Sequence, residues 1–215
     1  MKILHSIFLL IFLLFSFSLS AQDPISNLSI SKGLSLGAHA AYISHENDVY
    51  HAEPEYAIGY GVRIQYGFNH KMAVALSYQH YSIKPKSINS NVNRYPLFEY
   101  DIIGEYIFGS SISRLRPNLQ AGFNFTNTEE SYYYPELNGF TDVNTTEEYN
   151  GIAFLAGAGL TYYFSPNISA DLTFNVHTGQ FTKVYLTTNY TPNEKIEIQS
   201  DLFNLNGLLG FQYHF

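Results

Sequence analysis

From Phe203 to Phe215 every second residue belongs to one face. Phe203, Leu205, Gly207, Leu209, Phe211, Tyr213 and Phe215 share it, and Leu202, Asn204, Asn206, Leu208, Gly210, Gln212 and His214 take the other. The first face is apolar and ends aromatic; the second is mostly small or polar. Side chains in a strand alternate with a period of two, so such a segment lies between an apolar medium and a wetter one. The pattern recurs seven more times. Segment 56–68 is the cleanest, with Tyr56, Ile58, Tyr60, Val62, Ile64, Tyr66 and Phe68 against Ala57, Gly59, Gly61, Arg63, Gln65 and Gly67. The others run over 33–43, 72–84, 97–108, 118–128, 152–164 and 168–182. Each has at least the roughly 9–11 residues a tilted strand needs to cross a bilayer.

Composition points the same way. Charged residues make up 13% of the chain, against about 25% in an ordinary soluble domain. Tyr and Phe number 19 and 17. The missing charge implies that much of the exterior does not face water. Lys2, the apolar run 3–17 and the small residues Ser18, Ser20 and Ala21 predict a secretory signal peptide over 1–21, leaving 22–215 as one domain. No cysteine is present, so neither a lipid anchor nor a disulfide is expected, and stability must come from packing or closure. Without Lys2 the balance is ten basic to eighteen acidic residues, which argues against a nucleic-acid partner. After the signal no apolar run is long enough for a membrane helix. A closed barrel is the other way to cross a bilayer with every backbone group paired.

The connections alternate in length. Short ones are expected at 69–71, 109–116 and 165–167, and long ones at 44–55, 85–96, 129–150 and 183–200. Three short turns and four long loops fit an even up-and-down barrel with both termini at the short-turn end. Aromatic residues gather at both ends of the outward faces, where interfacial girdles sit. A soluble lipocalin-like barrel has the opposite polarity, apolar inside and charged outside.

These features resemble the small OmpA/OmpX-type outer-membrane barrels, with a leader ending Ser20-Ala21-Gln22 as in Bacteroidetes members. The final aromatics Phe211, Tyr213 and Phe215 resemble the signal read by the barrel-insertion machinery. The fold expected is therefore all-β, an eight-stranded antiparallel up-and-down transmembrane β-barrel. The resemblance implies a monomer in the cell outer membrane, in contact with outer-membrane lipid. It implies a non-enzymatic role through external loops or in envelope structure, without a cofactor.

Within the bore the inward phase collects Arg63, Glu99, Asp101, Glu105 and Asp171, with His39 and His177 nearby. An eight-stranded barrel is just wide enough to be filled by side chains, and buried charges there must pair or be hydrated. A polar plug follows, with Arg63 bridging the acids of segment 97–108. A narrow cation-preferring channel is the alternative. His80 and Ser82, two apart on one face, look slightly like the His-x-Ser of lipid A deacylases, although Ile83 stands where that family has Asn. Lipid A modification is the second alternative. In loop 129–150, Tyr132, Tyr133 and Tyr134 sit among six acids and are the candidate contact patch for an extracellular ligand.

Overall fold

The computed structural model describes residues 31–47, 51–85, 94–134, 143–188 and 194–215. The leader predicted over 1–21 lies outside them. Eight strands follow in chain order: β1 (Gly33–Asn47), β2 (His51–Gly67), β3 (Met72–Ile83), β4 (Tyr95–Ile107), β5 (Leu115–Tyr134), β6 (Val143–Ser165), β7 (Ile168–Thr188) and β8 (Glu194–His214). Each pairs antiparallel with its sequence neighbours, and β1 pairs with β8, so the sheet closes on itself. The seam runs in unbroken register from Ser35↔His214 to Asn47↔Leu202. Phe215 extends it, its N–H donating to the Leu34 carbonyl at 3.0 Å. Closure leaves no backbone edge within the ring.

Local sequence explains the short turns. Between β2 and β3 the Asn69 side chain accepts the Lys71 and Met72 amides at 2.8 and 2.9 Å, holding the reversal tight. Between β6 and β7, Asn167 is stitched to the last strand. Its carbonyl takes the His214 amide at 2.9 Å and its side chain donates to the His214 carbonyl at 2.8 Å.

Alternation along each strand becomes inside against outside. In β2, Ile58, Tyr60 and Val62 are 79%, 64% and 53% exposed, whereas Arg63 between its outward neighbours is 7% exposed. Large apolar side chains stand outward on every strand. A continuous apolar surface around a whole molecule is not a soluble exterior; it is the hydrocarbon-facing band of a membrane barrel.

Three of the four loops expected to be long are much shorter than the sequence suggests, and the β3–β4 connection, 84–94, nearly keeps its expected length. β5 and β6 stay paired as far as Tyr134↔Val143, and β7 and β8 as far as Leu186↔Glu194. The stretch 129–150 is therefore mostly hairpin. Its acids and amides mimic a loop because, above a bilayer, both faces of a strand can meet water. The neighbours stop earlier. β4 leaves β5 at Leu97↔Thr128, and β1 leaves β8 at Asn47↔Leu202. Strands β5–β8, of 20–23 residues, thus rise past β3 and β4, of 12 and 13, as a four-stranded wall over one side of the barrel. Beyond their last β4 and β1 partners, β5 runs on for six residues and β8 for eight, or about 20–26 Å of strand.

Candidate functional site: a layered bore beneath a tall wall

The floor of the bore is polar. Ser31, just ahead of β1, is buried under the short-turn end, so close to Gly67 that a Cβ there would collide with its carbonyl. Arg116 is fully buried, and its guanidinium donates to the Ser31 hydroxyl at 2.7 Å and to the His70 carbonyl. The sequence pattern assigns Arg116 to a turn; β5 starts three residues earlier than expected and turns it inward. Beside it the His214 ring links Ser35 on β1 (2.9 Å) to Ser169 on β7 (3.0 Å).

Above the floor, Arg63 on β2 donates to Glu105 on β4 at 2.9 Å. Gln120 donates to the other Glu105 oxygen at 3.3 Å and to Asn118 at 3.2 Å. Asp171 lies across the bore, lining a cavity of about 20 Å³ with His39, Arg63, Thr173 and Gln212. That volume holds a single water. Next comes an apolar cluster on the β3, β4 and β6 side, where Ala75, Ile103 and Leu155 pack together. Ile103 separates Glu105 from Asp101 along β4.

A second polar layer sits over that cluster. Asp101 accepts from Asn124 at 2.6 Å and from Gln79 at 3.1 Å. Glu99 reaches across to the far wall, meeting His177 on β7 at 3.1 Å and accepting from Asn204 and Asn206 on β8 at 2.7 and 2.5 Å. Asn204 also meets His45 of β1 at 2.6 Å. Arg63 is therefore not the shared cation of the three β4 acids: it pairs with Glu105, while amides and His177 hold the other two. The outer mouth is closed by two more apolar groups. One joins Ile43, Tyr81, Ile83, Tyr95, Leu97 and Leu208; the other joins Tyr149, Ala153, Phe181, Val184 and Leu202 at the base of the wall. The inward alternation extends to these residues, yet apolar layers in a polar bore carry no composition signal.

The remaining candidates lie elsewhere. His80 points outward, between the rings of Tyr60 (5.3 Å) and Phe98 (5.0 Å). Ser82, the other half of the His-x-Ser pair, faces Pro96 across the ladder, and Ile83 is buried inside. That is a stacking environment for an imidazole. Tyr132, Tyr133 and Tyr134 belong by backbone to the β5 end of the wall, and their side chains lie outside the described residues. Phe211, Tyr213 and Phe215 are exposed on the outer face, 49–63% accessible, with Tyr213 and Phe215 edge-to-face at 5.0 Å. Among the described residues no cluster of three or more His, Asp or Glu is arranged to hold a metal.

No protein-family model matches the sequence, and no curated protein matches it. Solved structures do resemble it. Neisserial surface protein A aligns with 86% of this chain and 98% of its own at 16% identity, with a TM-score of 0.55. OprG from Pseudomonas aeruginosa aligns with 90% and 99% at 12% identity and a TM-score of 0.57. Ail, the attachment invasion locus protein of Yersinia pestis, aligns with 86% and 99% at 15% identity and a TM-score of 0.52. At such identities the likeness shows the fold, and the chain is an eight-stranded antiparallel up-and-down β-barrel of the architecture these outer-membrane proteins share.

Proposed function

We propose that this chain is a non-enzymatic outer-membrane barrel that works as a surface-contact protein. Its bore is a closed strut, and the β5–β8 wall is the part that meets extracellular partners. The observation that carries the reading is the division of labour along the axis. The bore is filled by buried side chains, with an apolar cluster of Ala75, Ile103 and Leu155 on its β3, β4 and β6 side between the two polar layers and larger apolar clusters toward its mouth. Packed side chains and apolar groups exclude water and ions, so a conducting path is disfavoured. The strands meanwhile outrun the bilayer at one end only. Of the described residues, 129–134 pair only with β6 and 194–201 only with β7, which leaves two lateral edges able to add a strand. One structural neighbour is the attachment invasion locus protein of Yersinia pestis, and attachment is a role this geometry fits. The finer likeness to Bacteroidetes barrels rests on the leader sequence, and delivery through that leader and the barrel-insertion machinery belongs to the same reading.

Two measurements test it together. The refolded chain in planar bilayers is expected to show no steady conductance. Cells displaying the full chain are expected to bind immobilised extracellular-matrix proteins, and cells whose wall is cut back to short turns at residues 130 and 147, and at 183 and 198, are expected to lose that binding while the barrel still folds. A stable cation-selective conductance would establish the channel instead. Unchanged binding by the trimmed barrel would remove the wall from the function.

A further inference from the structure

The β3–β4 hairpin carries an ordered series of side chains on its outward face. Rising from the short-turn end, cross-strand partners are Met72 with Tyr106, Val74 with Gly104, Leu76 with Ile102, Tyr78 with Tyr100, His80 with Phe98, and Ser82 with Pro96. Lys84 and Arg94 come next, both exposed and both in the outward phase. The series thus passes from aliphatic, through aromatic, to cationic in the order of depths from hydrocarbon to headgroup.

The aromatic level is built as a single ledge. Tyr78 lies 5.3 Å from Tyr100 and 6.4 Å from Phe98, and His80 is flanked by Phe98 and by Tyr60 of β2. Arg94 is steadied over it by a 3.2 Å bond from its guanidinium to the Ser82 carbonyl. Among the described residues, charge elsewhere at this end is mostly acidic, and its two cations, Lys183 and Lys195, stand among those acids on β7 and β8. Glu46 on β1, Glu129 on β5, and Glu197 and Asp201 on β8 are exposed, and Lys195 is engaged with Glu197 at 3.2 Å. An anionic headgroup is repelled from those strands and drawn to the short β3–β4 side, where the wall does not stand in the way.

We infer that the outer end of the β3–β4 hairpin is a binding site for a phosphorylated glycolipid of the surrounding leaflet. Lys84 and Arg94 take the phosphate, by charge and by the paired donors of the guanidinium. The rings of Tyr60, Tyr78, His80, Phe98 and Tyr100 carry the sugar and upper acyl region, as amphipathic aromatic groups do at an interface. This site rests on the outer-membrane reading for its biological setting, but not for its chemistry.

The test uses the full barrel folded in detergent, with diphosphorylated lipid A as probe and the same lipid after phosphatase treatment as control. Bound lipid is counted by native mass spectrometry. Wild type is expected to retain the phosphorylated lipid about tenfold better than the control, and to lose that preference as salt is raised. The K84Q/R94Q variant is expected to abolish the preference, and K183Q/K195Q on the wall to leave it intact. The heat shift of the band on gels reports folding of each variant. Should the double variant fail to fold, the salt series on wild type decides alone. Equal retention of both lipids, an unchanged preference in K84Q/R94Q, or displacement by millimolar inorganic phosphate would overturn the site. Binding in detergent by a chain that proves not to reach the cell surface would fail the localisation and keep the site.

Discussion

Glu99 shows what one inward residue does in a bore of this width. It is fully buried on β4, yet its oxygens meet groups from β7 and β8, so one carboxylate spans the barrel. Arg63 does the same for β2 and β4 through Glu105. The period-two pattern makes the inward phase of both legible, because phase depends on strand identity alone. The choice of partner is hidden, because it depends on shear and on side-chain reach across the bore. Arg116 was hidden for a simpler reason: its strand begins under a proline, Pro117, that reads as a turn residue. The pairing gives a specific expectation. Arg63→Ala should lower the urea midpoint of the refolded barrel; breaking a dry buried pair costs about 3–5 kcal/mol, and lumen water lowers that figure. Adding Glu105→Gln should recover part of the loss, whereas Asp101→Asn should add independently within about 0.5 kcal/mol. Equal rescue by both would mean that the apolar cluster does not separate the two polar layers.

At the scale of elements, the eight strands and their order could be read from alternation because the bilayer enforces it: one face must be apolar wherever lipid touches it. That constraint ends at the headgroups. Beyond them β5–β8 continue with Glu, Thr, Asn and Tyr on both faces, and the sequence looks like loop although the ladder persists. The wall is therefore legible only as hydrogen bonding, through pairs such as Glu129↔Glu148. Residues paired across antiparallel strands have Cα atoms about 4.5–5.5 Å apart, within disulfide reach. Cysteines at Glu129 and Glu148 should oxidise quickly and leave the barrel folded. Cysteines at Glu129 and Thr146, one pair out of step on the same face, should oxidise far more slowly. Similar rates for the two would describe a mobile loop rather than a paired wall.

For the whole molecule, closure is the governing fact. β8 joins β1 over the full height of the seam, and the Phe215 amide completes it at the Leu34 carbonyl. Removing Phe215 deletes that last bond and an exposed ring at the end of the outer face. The truncated chain should yield less heat-modifiable barrel in the membrane fraction and more unassembled chain in the periplasm; undiminished assembly would show that the terminal aromatic is dispensable.

The proposed surface-contact role requires one orientation, with the short turns inside the cell envelope and the wall outside. Impermeant maleimide on intact cells tests it directly, using single cysteines at Glu197 on the wall and at Asn69 in the β2–β3 turn, both exposed. The expected result is labelling at position 197 on sealed cells, and at position 69 only after the outer membrane is broken. Labelling of position 69 on sealed cells, with position 197 protected, would contradict the orientation and the surface-contact role with it.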